Sequence, residues 1–192
     1  MNDRRLLLVE AHPENIREAL RRVRRRGIRR WRSKRAAMAV TVVTGTRGPA
    51  VLLTRRAGQF ALPVALTDRW ESASDAARRH LAEELGMCLP PESVLGRLDD
   101  YPVQARLVIT PVLLWAGEPA RPPAAEVCIV PFTDLDVEPV FVATSASDRP
   151  MIRLPLHGGW LHAPTAAVLH QFREVVLHRR PTRVAHLGQQ LL

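Results

Sequence analysis

Lysine is almost missing from this chain: of 28 basic side chains only Lys34 is not an arginine. A choice so lopsided points to a GC-rich genome and says little about function. Cysteine is scarce as well, at two residues, which excludes a disulfide framework. Cys88 and Cys128 stand in no CxxC or Cys/His cluster, so no structural zinc site is expected and each reads as a small buried apolar residue. No apolar run reaches the roughly 18 residues that a bilayer-spanning helix needs. The opening segment carries Asp3 and Glu10 and lacks the form of a secretory signal, so a cytoplasmic location is the expectation.

What is present is the composition of a globular protein. The chain has 192 residues, 46% of them hydrophobic, enough for one domain of ordinary size with a sizeable core and some extra sequence. The net charge of +9 is unevenly spread. Residues 17–35 hold eleven basic side chains against Glu18, a local +10, and residues 1–16 sum to −1, which leaves residues 36–192 neutral. The expected organisation is a basic, partly helical extension over 1–35, a neutral domain over 36–180 and a tail over 181–192 without a clear period.

Within the extension, Pro13 suits a first helical turn, and Ile16, Leu20, Val23, Ile28 and Trp31 form a thin apolar stripe among arginines, interrupted by Gly27. Residues 13–33 thus read as a helix with three uses open to it. It can dock on phosphate, from nucleic acid or an anionic membrane surface; it can pack its stripe on the domain; or it can be a solvated extension. A start at Met38 would remove it altogether.

From residue 36 the pattern changes. Residues 38–44 are β-branched and read as a strand, 45–48 as a turn and 50–54 as a returning strand. A short strand is expected at 60–62. Residues 72–85 make the clearest helix, with Ser72 as cap, Asp75 three residues on, and Gly86 as terminator. Extended segments follow at 94–101, 106–115 and 126–132, separated by a loop at Arg121-Pro-Pro123, then short strands at 151–154 and 159–161. A helix over 164–178 buries Ala166, Val168, Leu169, Phe172, Val175 and Val176. Strands and helices mix without βαβ alternation, which predicts an α+β layered domain with a mixed sheet.

The chemistry lies in residues 62–87. On the helix, His80, Glu83 and Glu84 fall at i, i+3 and i+4 and share a face, while Ala77, Leu81 and Leu85 share another. One face can pack inward while the other presents two carboxylates, the oxygen ligands that a hard cation prefers. Such a cation can grip a diphosphate and activate water. A pair of glutamates flanked by Arg78 and Arg79 can equally be a solvated, self-paired surface.

The register of this stretch resembles the box of the Nudix hydrolase family: Gly, five residues, Glu, seven residues, Arg-Glu, an apolar residue, any residue, Glu-Glu, any residue, Gly and an apolar residue. Anchored on Gly86, the chain fits without a gap: Glu71, Arg79, Leu81, Glu83, Glu84, Gly86 and Met87 match, seven of nine defined positions. Leu62-Pro63 fits the Leu-Pro that precedes the family's glycines. The departures are Val64, Ala65 and Trp70 at glycine positions, and His80 where the family has a metal-binding Glu. Further likeness covers about 38–178, through Leu52-Leu-Thr-Arg-Arg56, Leu95 to Tyr101, Val108 to Val112, Glu126 to Leu135 and Trp160 to Thr165. These segments resemble the coenzyme A pyrophosphatase-like branch, although the Ser/His-rich stretch typical of that branch is missing between Arg56 and Leu62.

The resemblance implies an α/β/α sandwich of Nudix type, with the box helix and a C-terminal helix on a mixed sheet. It implies a hydrolase acting on a nucleoside diphosphate linked to another moiety, by metal-assisted attack of water on phosphorus. Mg²⁺ or Mn²⁺ would be held by Glu83, Glu84 and Glu71, with Arg79 orienting the carboxylates and His80 replacing the lost ligand or acting as base. Arg55, Arg56, Arg106 and Glu126 would meet the substrate, and Tyr101 could line the cleft; His157 and His162 read as loop residues. Because His80 is a poor carboxylate substitute on Mg²⁺, a second reading stands beside the first: an inactive Nudix-fold module that binds a nucleotide-like ligand or a protein partner. The oligomeric state is open, a dimer among the options.

Overall fold

The computed structural model describes residues 12–29, 33–56, 58–103, 106–118, 126–144, 147–156 and 158–188. Trp31, the loop at 121–123 and His157 lie outside the described residues.

Helix α1, Pro13–Arg22, opens on Pro13 with His12 as its cap. It ends at Arg22, well short of residue 33. Strand β1, Lys34–Gly45, turns into β2, Gly48–Arg56, the hairpin the sequence implies, with Val42 opposite Val51 and Gly45 opposite Gly48. The short strands β3, Gln59–Ala61, and β4, Val64–Leu66, lead to α2, Ala73–Leu85. After a 3₁₀ turn at Pro91–Ser93 come β5, Val94–Arg97, β6, Tyr101–Val103, and β7, Leu107–Gly117. Next are β8, Val127–Pro131, the single turn α3, Phe132–Leu135, and the strands β9, Val140–Thr144, β10, Ser147–Leu156, and β11, Gly159–His162. Helix α4, Thr165–Phe172, continues through a wider π-type turn over Arg173–Leu177.

The main sheet runs β3-β2-β1-β7-β5, with β4 on β1, β6 on β7 and β8 on β2. The β1–β7 pair is parallel, from Lys34 opposite Leu107 to Leu113 opposite Val40, while the other pairs are antiparallel. This is the mixed sheet expected of an α+β layered domain. Strands β9, β10 and β11 form a separate three-stranded sheet, larger than the two short strands predicted, because Val140–Thr144 adds to it and Ser147–Leu156 is longer than 151–154.

Alternation along β1 divides the core into layers. Ala36, Met38, Val40 and Val42 pack on the side of Ala166, Val168, Leu169 and Phe172 of α4. Ala37 and Ala39 pack on the side of Ala76, Ala77 and Leu81 of α2. The sheet therefore lies between the box helix and the C-terminal helix, as in an α/β/α sandwich.

Both ends of the described chain belong to this body. Ile16 of α1 is fully buried in the larger cluster, together with Val184 and Leu187 from the segment that lacks a sequence period. A Cβ on Gly96 would stand 2.7 Å from Leu20 Cδ1, the tip of a flexible side chain, so α1 lies close on β5 at this point. Past α1, Arg25 bonds to the Leu98 carbonyl and Asp100, and the Arg26 and Ile28 amides donate to Asp99 and Asp100. Residues 12–29 thus follow the packed alternative among the three readings of this segment. Cys88 is exposed and Cys128 half-buried, a correction for Cys88, which sits just past the end of α2 instead of inside the core. Among the described residues no helix is long and apolar enough to cross a membrane.

Candidate active site on the box helix

Helix α2 is bounded as its sequence dictates. The Ser72 hydroxyl accepts from the Asp75 amide at 3.1 Å and donates to the Asp75 carboxylate at 2.7 Å. At the other end Gly86 takes φ 66° and its amide caps the Ala82 carbonyl, the left-handed stop that glycine allows at little cost. The apolar residues Ala76, Ala77 and Leu81 face the sheet, which fixes the rotation of the helix and leaves His80, Glu83 and Glu84 on the outer flanks.

Arg79 organises the loop entering this helix. Its Nε donates to Glu71 Oε1 at 2.9 Å and its Nη2 to Glu71 Oε2 at 3.0 Å. Nη2 also reaches the Leu66 carbonyl at 3.1 Å, and Nη1 reaches Glu83 at 3.2 and 3.3 Å. The Asp68 amide completes the Glu71 shell at 2.9 Å. Such paired, charge-assisted bonds hold a guanidinium in one orientation. The Arg79 bonds, with that of the Asp68 amide, hold the Glu71 carboxyl below its usual range, and Glu71 and Glu83 raise Arg79 in turn.

His80 and Glu84 form a second pair beside the first, with Nε2 2.8 Å from Oε2 and the His80 side chain 15% exposed. The shared face foreseen in the sequence thus resolves into two i,i+4 pairs: Arg79 with Glu83, and His80 with Glu84.

The glycine positions behave differently from one another. Val64 and Ala65 lie in β4 and pair with Met38 and Ala37 of β1, so the loop is replaced there by a strand. Trp70 keeps a glycine-like backbone, at φ 71°, and is 91% exposed. A bulky residue in that region carries strain of about 1–3 kcal/mol.

The substrate-facing candidates divide between two places. Arg55 and Glu126 meet at the β2–β8 edge, where the Arg55 amide donates to the Glu126 carbonyl at 2.7 Å; both side chains are exposed, and the Arg55 guanidinium lies 5.0 Å from the Phe60 ring centre. Arg56 follows in β2, its side chain outside the described set. Arg106 is elsewhere, in the turn entering β7, with φ 62° and its carbonyl accepting from the Lys34 amide at 2.9 Å. Tyr101 is corrected outright: fully buried, its hydroxyl donates to the Leu187 carbonyl at 3.1 Å. His162 lies in β11, not in a loop, with burial holding its pKa below the usual range.

The donor set does not fit the Mg²⁺ or Mn²⁺ that the resemblance implies. Glu71 spends both oxygens on Arg79, Glu83 faces the same guanidinium, and Glu84 is paired with the imidazole that replaces the family's ligand. Among the described residues no three acidic, His or Cys side chains converge as a metal group. A hard cation needs six or more oxygens around it, and these carboxylates point to other partners.

Sequence reading missed Leu66 and Asp68 as anchors of Arg79. A main-chain carbonyl leaves no residue-type signal, and Asp68, 3.8 Å from the guanidinium, is not a defined box position.

The NUDIX domain family matches residues 33–153, more than half of the chain. Among solved structures, a MutT/nudix family protein from Enterococcus faecalis is similar over 78% of this chain and 64% of its own, with 17% identity and a TM-score of 0.50. The Nudix hydrolase RenU from M. smegmatis is similar over 81% of this chain and 93% of its own, with 24% identity and a TM-score of 0.49. The NUDIX domain of Shewanella oneidensis NrtR, complexed with ADP ribose, shares 21% identity over 55% of this chain and 77% of its own, with a TM-score of 0.42. No curated protein matches the chain. A family match over residues 33–153, together with a box helix whose arginine, glutamates and closing glycine occupy the box register, means that this chain belongs to the Nudix family.

Proposed function

We propose that this Nudix domain binds a nucleotide-like diphosphate, a nucleoside diphosphate linked to a second moiety, and that metal-assisted cleavage of that ligand is impaired. The observation that carries the reading is the His80–Glu84 pair at 2.8 Å. It puts an imidazole where the box requires a carboxylate, and it engages one of the glutamates that would otherwise reach a cation. Charge for phosphate comes from arginine, with Arg55 the exposed candidate at the edge of the sheet.

A second reading rests on the same pair. An imidazole oriented by a carboxylate is the arrangement of a general base. Here Glu84 would fix the ring and His80 would take a proton from the water attacking phosphorus, with Arg79 keeping the loop in place through Glu71. This reading retains hydrolysis and needs no step routed through a cation.

The test is incubation of the purified protein with Mg²⁺ or Mn²⁺ and a panel of coenzyme A, ADP-ribose, dinucleotides and nucleoside triphosphates, with released phosphoryl products and equilibrium binding both measured. Binding without turnover is the expected result. Turnover that Glu84→Gln abolishes would overturn the impaired reading and establish a working hydrolase. No binding of any compound would sink both.

A further inference from the structure

Between the arginine segment, the start of β1 and the N-terminal end of α2 lies a cavity of about 470 Å³, which neither His80 nor Glu84 lines. That volume is in the range of small-molecule sites. It is lined by Arg25, Arg29, Arg35 and Arg97, together with Asp100 and Thr110. Glu71 and Ala73, the first residue of α2, close it towards the box loop.

The acids here are already spent. Asp100, whose side chain is 2% exposed, accepts from Arg25, from Arg35 at 3.1 Å, from the Ile28 amide at 2.8 Å and from the Thr110 hydroxyl at 2.8 Å. Glu71 is neutralised by Arg79, as described above. What remains is cationic. Arg29 and Arg97 are exposed at the rim and have no ion-pair partner among the described residues. The positive end of the α2 dipole lies beside the same space. Four arginines against Asp100 leave about three uncompensated positive charges among the described lining residues, which suits a multiply charged anion, and planar guanidiniums suit phosphate oxygens.

We propose that this cavity is a binding site for a small diphosphate-type anion, separate from the His80–Glu84 flank of α2. Its lining comes from three parts of the chain far apart in sequence, at residues 25–29 with 35–36, 67–73 and 97–110, so the site exists only with residues 25–29 docked. Arg25 and Arg35 form a fixed base through Asp100, while Arg29 and Arg97 close on the ligand. The bounded volume of about 470 Å³ favours a compact anion over a nucleic-acid backbone, which is met by an extended basic surface.

The experiment is calorimetric titration of the full chain with inorganic pyrophosphate in metal-free buffer. Wild type is compared with Arg29→Ala/Arg97→Ala, with the milder Arg97→Gln, and with Arg180→Ala as a control on an exposed arginine that does not line the cavity. The expected result is saturable binding by wild type and the control, weakened about tenfold or more in the double variant, since each bond to a charged group is worth roughly this factor. Affinity in Arg97→Gln should fall in between, and thermal midpoints without ligand should be unchanged. Absence of saturable binding to wild type, or equal affinity across the set, would overturn the site. So would tighter, steeply salt-dependent binding of a short DNA duplex, which would assign these arginines to a nucleic-acid backbone. Glu84→Gln separates this site from the α2 flank: unchanged pyrophosphate affinity supports the cavity, and lost affinity overturns it.

Discussion

Arg79 holds both carboxylate oxygens of Glu71, at 2.9 and 3.0 Å, across the eight residues that join the box loop to its helix. The loop shape therefore depends on one ion pair as much as on the glycines the family places there. Because the Arg79 bonds depress the Glu71 carboxyl in the folded state, the unfolded chain takes up a proton at higher pH than the folded one. The stability from this pair is complete above the ordinary carboxylate range and is lost as pH falls through the lower folded value. Thermal unfolding of wild type and Glu71→Gln over an acid series should show a gap that narrows as pH drops; a constant gap would remove the ion pair from the account.

His80→Glu should restore a carboxylate beside Glu84. If the rest of the box is competent, Mg²⁺-dependent release of phosphoryl products should rise by about tenfold or more, the scale on which changes around a metal site act. No increase would locate the remaining defect in β4, where Val64 and Ala65 pair with β1 in place of a glycine loop.

Thr41 is fully buried in β1, and its hydroxyl finds no hydrogen-bond partner among the described residues. Thr41→Val keeps the shape and removes the unpaired group. It should stabilise the fold by about 1 kcal/mol, seen as a rise of roughly 2–4 °C in the thermal midpoint. A fall would mean that the hydroxyl is bonded in solution.

The chain has a single tyrosine, so tyrosinate absorbance reports one site. Burial pushes Tyr101 up to about 12. An alkaline titration of the folded protein should therefore show no ionisation near 10, where exposed tyrosine titrates. The linkage follows with a definite sign: the raised group stabilises the fold fully below the unfolded value, and that contribution is lost as pH rises through about 12. Ionisation near 10 before unfolding would contradict the burial of this ring.

The local parts of the fold were legible. Ser72, Asp75 and Gly86 announce α2 because caps depend on neighbours in sequence, and the hairpin follows from β-branched runs around a Gly-containing turn. The box register implied that Arg79 orients carboxylates, but it gave Glu71 to a metal, and the structure binds Glu71 to Arg79 instead. The docking of residues 12–29 was not legible, since it depends on Asp99 and Asp100, 72 to 75 positions away. The helix predicted to residue 33 stops at Arg22 because the chain beyond gives its amides to those acids instead of to its own carbonyls. Val184 and Leu187 have no period to read, yet they fill the core that Ile16 enters. At the site, residue types showed which groups are present, but not that Glu83 turns to Arg79 while Glu84 turns to His80.

The clasp on Asp99 and Asp100 also changes how the arginine-rich segment meets a protease. By composition, residues 21–29 are a string of trypsin sites. In the fold, the Arg26 amide is bound to Asp99, its carbonyl to the Asp100 amide, and the Arg25 side chain to Asp100. A bond held in this way cannot enter a protease cleft until the clasp opens, so cutting after Arg25 and Arg26 is timed by that opening and not by the abundance of arginine.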